Sequence, residues 1–170
     1  MKSSGRAFFD YGEALVMSLE EEISGEVYFA RLAEFFSGRE KKALLMLASV
    51  EAVTAEAIRP LLGRYGLGMA DPEKLQAAGL AEADSRQGLT WTQLIEEMAT
   101  TFPAFVDEFE CIERLAPPED KEFMRILVEH EVAAVSFAKL EAKTDPASLR
   151  PLEEFLDRHP SHSAAEAGVA

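Results

Sequence analysis

The chain of 170 residues has one cysteine, Cys111, which excludes an internal disulfide and any zinc or iron–sulfur site built on cysteines. Basic residues are scarce. Seventeen Lys and Arg stand against 31 Asp and Glu, a formal net charge of −14. Such a surface repels phosphate backbones and anionic headgroups, so nucleic acid and membrane surfaces are not expected partners. No apolar run approaches the roughly 20 residues of a membrane span. The opening MKSSGRAFFDYGEAL has no apolar signal core, so a cytoplasmic location is the expectation. Only eight prolines and ten glycines punctuate the chain, mostly between periodic stretches, and no stretch alternates as a strand would. A 48% hydrophobic, 28% charged composition is that of an ordinary globular domain.

What is present reads as helix throughout. A first helix is predicted over residues 10–36, with Asp10 and Glu13 spaced as a capping box. Ser37 and Glu40 repeat that spacing and open a second helix, which reaches Tyr65 and is stopped by Gly66 and Gly68. Residues 66–89 form a long connection with a short helix opened by Asp71-Pro72. Thr90 and Gln93 cap a third helix to Leu115, which Pro103 should kink or split. Residues 117–120 open a fourth, ending near Lys143. Asp145-Pro146 starts a short fifth helix to about Arg158. Short turns within each pair and a long link between pairs describe an all-α, antiparallel four-helix bundle, two hairpins joined by a crossover, plus a short C-terminal helix. Residues 1–158 form one domain, and residues 159–170 read as a disordered tail.

A shift of 80 positions lays residues 26–58 on residues 106–138 without a gap. Phe29 then falls on Phe109, Lys41 on Lys121, Leu47 on Leu127 and Glu51 on Glu131, and the apolar rhythm coincides. The bundle reads as a diverged duplication of a helical hairpin.

The informative residues are acids on apolar faces. Leu15, Leu19, Ile23, Ala30 and Ala33 define a face of the first helix into which Glu22 and Glu26 point. Glu51 projects from the middle of the face Leu44, Ala48, Ala55, Ile58 and Leu62. Glu131 lies amid Phe123, Met124, Leu127, Val135 and Ala138. Counted from the turns, Glu26, Glu51 and Glu131 should lie level, with Glu22 one turn, about 6 Å, further along. Clustered buried carboxylates must be protonated, paired or bound to a cation.

In the stretches LEEEISGEVYFARLAEFF, LLMLASVEAVTAEAI and ILVEHEVAAVSFAKLE, covering residues 10–143 with their surroundings, the chain resembles the ferritin-like superfamily and its rubrerythrin-type bundles. That resemblance implies a diiron centre with a glutamate from each of two helices and Glu-x-x-His from the other two. Carried over, Glu22 or Glu26 takes the place of the first-helix ligand, and Glu51 and Glu131 those of the two Glu-x-x-His glutamates. Thr54 and Ala134 stand where the histidines are expected, and Phe102 stands opposite Glu22 under the 80-residue shift. Glu108 lies toward the edge of the third helix's face. His130 should point about 100° away from Glu131, outside the site.

Two principal functions follow. One is an iron- or manganese-dependent oxidoreductase using Glu22, Glu26, Glu51 and Glu131 with dioxygen or peroxide, its small-molecule substrate undefined. The other is a non-catalytic helical binding or assembly module, expected as a homodimer, that has lost its metal and keeps a polar core, with Arg59 or Thr54 partnering the acids. A third is a small-molecule carrier built on Phe102, Phe105 and Phe109, with an apolar pocket beside Pro103. Trp91 should anchor the crossover.

Overall fold

The computed structural model describes residues 10–160. Seven helices follow one another: α1 (Tyr11–Leu32), α2 (Gly38–Tyr65), α3 (Pro72–Asp84), α4 (Trp91–Thr101), α5 (Pro103–Leu115), α6 (Lys121–Glu141) and α7 (Arg150–Arg158). No strand occurs among the described residues, and none of these helices is long and apolar enough to cross a membrane. The chain is all-α.

Local chemistry sets most boundaries. The Asp10 carboxylate accepts the backbone N–H of Glu13 and caps α1. Asp71 does the same for α3 with Pro72 behind it. Thr90 and Gln93 form a complete capping box at α4. Gly66, at φ +64°, ends α2 in a left-handed cap, with the Leu67 N–H on the Leu62 carbonyl. Three boundaries differ from expectation. The first helix stops at Leu32 rather than Phe36, where Phe36 leaves the helix to pack edge-on against Trp91 at 5.5 Å. Ser37 makes no side-chain cap, and Gly38, the first residue of α2, turns the chain at φ +56°. Asp145 does not open a helix. It accepts the Ala147 N–H in a tight turn after Thr144 at φ +55°, and α7 begins at Arg150. Pro103 splits the third predicted helix at Phe102 into α4 and α5.

Packing joins α1 to α2, α5 to α6, α4 to α6 and α2 to α6, with α3 lying on α1 and α7 across α2 and α6. Tyr11 and Trp91, which open α1 and α4, occupy equivalent positions under the 80-residue shift, so the two hairpins α1–α2 and α4/α5–α6 begin at matching points.

Two polar clasps fix the helix directions. Asp120, fully buried at the start of α6, accepts from the hydroxyls of Tyr11 (3.1 Å) and Tyr65 (2.6 Å) and pairs with Arg64. This end therefore gathers the start of α1, the end of α2 and the start of α6. At the other end Glu141 accepts from Arg39 (2.7 Å), from the Trp91 indole N–H (3.0 Å) and from Ser148. Burial would raise the Glu141 pKa, but these donors outweigh it and hold it below the usual carboxylate range. Trp91 thus anchors the end of the crossover as expected. Because α2 ends at the Asp120 clasp and α4 begins at the Glu141 clasp, residues 66–90 must run the length of the molecule. α3 makes that journey along α1. At Gly79 the two backbones come so close that a Cβ would lie 2.4 Å from the Ser24 carbonyl oxygen. The Glu20 carboxylate accepts the Ala70 N–H and ties down the start of the crossover.

The tail expectation falls largely on residues 161–170, outside the described chain. His159, assigned to that tail, instead contacts Glu129 at 3.0 Å and packs on Phe155 at 4.8 Å.

Asp120→Ala leaves two tyrosine hydroxyls and Arg64 without their shared acceptor and opens one end of both hairpins. It is expected to cost about 2–4 kcal/mol in urea unfolding, with helical content retained. A loss below about 0.5 kcal/mol would remove Asp120 as a structural clasp.

Candidate metal centre

The buried stripe of α1 runs through Leu15, Ser18, Leu19, Glu22, Phe29 and Leu32. It is rotated from the face drawn through Ile23 and Ala30, and Ala30 is exposed. The rotation decides which acid turns inward. Glu22 keeps 1 % of its surface, whereas Glu26 is exposed and does not join the cluster. The earlier end of α1 also shifts the register against α2, so Glu51 meets Glu22 and not Glu26. Glu26 acts on Glu51 only through its charge.

Glu51 of α2 and Glu131 of α6 are buried at 9 % and 7 % exposure. Space for the Glu51 carboxylate is made by Gly25, where a Cβ would sit 2.5 Å from Glu51 Oε2. Glu22 and Glu51 are hydrogen-bonded to each other.

His130 is the correction that matters most. Expected outside the site, it is 1 % exposed, and its Nε2 lies 3.4 Å from Glu22 Oε2 and 3.7 Å from Glu131 Oε2. The buried arc of α6 is wider than the stripe drawn through Glu131. It also takes in Ile126, His130, Ala133 and Phe137, spaced at four, three and four residues. That spacing was the available signal. Phe109 packs against the imidazole at 5.3 Å between centroids. Glu21 lines the same cavity and raises the proton affinity of Glu22, Glu51 and Glu131. Glu108 of α5 is buried rather than at an edge. The suggested partners do not serve: Thr54 donates to the Val50 carbonyl of its own helix, and Arg59 is exposed.

Ligand atoms of Glu22, Glu51 and His130 lie within 4.8 Å of one another. Around a first-row cation, with bonds of about 2.1 Å, ligand atoms stand roughly 3–4 Å apart, so small side-chain rotations would close this set. The donor set of two carboxylates and an imidazole, with a third carboxylate beside it, suits iron, manganese or zinc. Two buried carboxylate oxygens, Glu22 Oε2 and Glu131 Oε1, find no hydrogen-bond partner among the described residues, as oxygens placed for a cation would. No Lys or Arg among those residues forms an ion pair with Glu22, Glu51 or Glu131.

Burial raises the pKa of all three acids. For Glu22 the Glu51 charge adds to it, and for Glu131 the charges of Glu51 and Glu21 do. Glu51 is pushed up to about 8, burial outweighing the hydrogen bond from Glu22 that favours its charged form. Burial pushes His130 down to about 4, although the Leu127 and Ile126 carbonyls favour its protonated form. At neutral pH the imidazole is therefore neutral, which metal ligation requires, and it supplies no positive charge to the acids.

No family model, no curated protein and no solved structure matches the chain.

In the metal-free protein, each acid contributes stability that is complete below its ordinary value of 4.5 and lost as pH rises through its folded value, about 8 for Glu51. His130 works oppositely: its contribution is complete above 6.5 and lost as pH falls toward about 4. Three acids outweigh one imidazole, so stability should fall by roughly 1–3 kcal/mol from about pH 5.5 to about pH 8. Glu131→Gln should flatten that slope and stabilise the metal-free protein at the higher pH. Unfolding curves at the two pH values check this, and an identical slope in wild type and variant would contradict it.

Proposed function

We propose that the protein is a ferritin-like four-helix bundle that holds iron or manganese in its interior and serves as an oxidoreductase acting with dioxygen or peroxide. The observation that carries this reading is the convergence of Glu22, Glu51 and His130 from three helices, with Glu131 alongside, at a buried point that no cationic side chain among the described residues neutralises. Glu22 and Glu51 would offer carboxylate oxygens, His130 its Nε2, and Glu131 a further oxygen. The set departs from the family pattern. Thr54 and Ala134 contribute no ligand, and the single imidazole comes from the residue before Glu131. It suits one ion.

When bound, such a metal supplies Lewis acidity and a redox couple. The chain's own residues hold and tune the centre. Phe109 packs against the imidazole, and burial keeps that ring deprotonated. Gly25 leaves room for Glu51. Phe29, Phe102 and Phe105 line the approach and limit water, which strengthens electrostatic interactions at the acids.

A second reading, a non-catalytic binding or assembly module, is favoured by one specific feature. The Glu22–Glu51 hydrogen bond and the raised proton affinities allow protons alone to neutralise the cluster. Metal content separates the two. Protein purified without chelators should carry close to one iron or manganese per chain. Glu51→Ala should weaken manganese binding at least about 100-fold, since it removes a direct ligand where loss of an outer-shell partner already costs 10–100-fold. A protein that takes up no metal, and that Glu51→Ala merely stabilises, would overturn the metal reading in favour of the second. Gly25→Ala supplies a separate check. The new methyl group displaces the Glu51 carboxylate, so manganese affinity should drop about tenfold with the circular dichroism unchanged.

A further inference from the structure

We propose that α3 is a lid over the acid–imidazole cluster, and that its first half lifts off α1 to let an ion pass between solvent and the cluster. This deepens the metal reading by naming how that site is loaded, and it rests on that reading only for what passes.

The four groups of the cluster keep 9 % of their surface or less. An ion that arrives hydrated needs one wall of the cavity to give way. The cavity, about 230 Å³, is bounded by α1, α2, α5, α6 and Phe102, with Leu75 and Ala78 of α3 on its outer side. These walls are not held equally. Leu19, Leu47 and Leu127 of α1, α2 and α6 are fully buried, and Phe102 and Phe109 are buried across the cavity. To the buried set α3 contributes Gly79 and Ala83, with one methyl group between them. Leu75 is half-buried and Leu80 is 39 % exposed. Apolar stabilisation scales with the area buried, so α3 is the wall that opens most easily.

Polar ties decide which end moves. The far end of α3 is fastened twice. Asp84 pairs with Arg31 at 2.8 Å, and Arg86, just beyond, pairs with Glu97 at 2.7 Å and hydrogen-bonds with Tyr28. The near end is latched by the Ala70 N–H on the Glu20 carboxylate. Leu75 and Ala78 lie in that first half. Gly68 precedes it in open space, with nothing within 4 Å of where a Cβ would stand, so the backbone there is free to rotate as a hinge. Gly79 is the seat. It docks backbone against backbone on Ser24, a contact that a Cβ at 2.4 Å from the carbonyl oxygen would forbid. Lifting the first half therefore breaks one charge-assisted hydrogen bond and uncovers little apolar surface, far less than opening the bundle would.

The test uses the full chain and two probes of access. Diethyl pyrocarbonate, an uncharged reagent, acylates deprotonated imidazoles and reports on His130 without any metal. Peptide mass spectrometry reads His130, with His159 as internal reference. Manganese uptake is followed by loss of the free-ion electron paramagnetic resonance signal. Glu20→Ala removes the latch and should raise both rates at least about fivefold, with manganese affinity within about threefold of wild type. Glu20→Gln loses the same charge but keeps an acceptor oxygen, and should stay within about twofold of wild type. Gly79→Ala unseats the helix and should raise both rates at least about tenfold. Leu152→Ala, which loosens α7 against α2 and α6, lowers global stability without touching the lid, and should leave His130 acylation unchanged.

An unchanged His130 rate in both Glu20→Ala and Gly79→Ala would overturn the proposal. So would Glu20→Gln matching Glu20→Ala, or Leu152→Ala accelerating acylation as much as Gly79→Ala. Acylation that responds as expected in a protein taking up no manganese would leave α3 as a lid and defeat the metal reading. Manganese bound, but taken up at the wild-type rate in both lid variants, would do the reverse.

Discussion

The structure turns on the cost of negative charge in a dry interior. Glu22, Glu51 and Glu131 occupy space that hydrophobic packing would otherwise fill, and each is almost wholly removed from water. The chain shows elsewhere how it settles an acid whose work is structural. Asp120 has Arg64 and two tyrosine hydroxyls, and Glu141 has Arg39, an indole N–H and Ser148. Both clasps satisfy the carboxylate with donors from several helices, and both include an arginine. Among the described residues the central cluster has no arginine, its cross-helix hydrogen bond joins two of its own acids, and the base beside it is an imidazole that burial keeps neutral. The contrast within one molecule is the strongest reason to read the centre as a place for an exogenous cation, because polar partners were available to this fold and were used at its ends.

The same clasps explain the surroundings of the cluster. They place the end of α2 and the start of α4 at opposite ends of the molecule, so the connection has to span its length. α3 consequently lies along α1, kept close by the bare backbone at Gly79, and supplies Leu75 and Ala78 to the cavity wall. An up-and-down arrangement with short turns would leave that side of α1 uncovered. The covering of the cavity is thus a consequence of helix direction, and it is set by residues far from the acids.

Helix limits were readable where local chemistry decides them. Asp10, Asp71-Pro72, Thr90 with Gln93, Gly66 and Pro103 each act within a few residues, and each acts in the structure as its type requires. Glu22, Glu51 and Glu131 were readable because an acid amid apolar residues at helical spacing is conspicuous. Glu26 and His130 were misplaced for one shared reason. A face drawn from a few apolar residues fixes rotation only to within about one residue, roughly 100°, and neighbouring helices settle the remainder. On α1 the true stripe excludes Glu26. On α6 contacts from both sides widen the buried arc until His130 and Glu131, adjacent in sequence, reach the same point. The failure of Ser37 to cap α2 has a tertiary cause as well, since the turn at Gly38 follows Phe36 reaching for Trp91.

The internal repeat clarifies how the two hairpins came to differ at the centre. Glu51 and Glu131 occupy equivalent positions, and so do Thr54 and Ala134, so the two halves agree in keeping the glutamate and lacking the following histidine. They disagree at two other places. Glu22 of the first hairpin corresponds to Phe102 of the second, and His130 of the second corresponds to Val50 of the first. Each hairpin therefore brings one polar group that the other lacks, and the two extra groups stand 3.4 Å apart. A two-fold arrangement of ligands, as a pair of metals would require, is broken at the position where Phe102 replaces an acid. The break concentrates donors on one side of the centre and gives the other side to aromatic rings. That asymmetry adds Glu22 and His130 to the two repeated acids and sets Phe102 in the cavity wall where the first hairpin carries an acid.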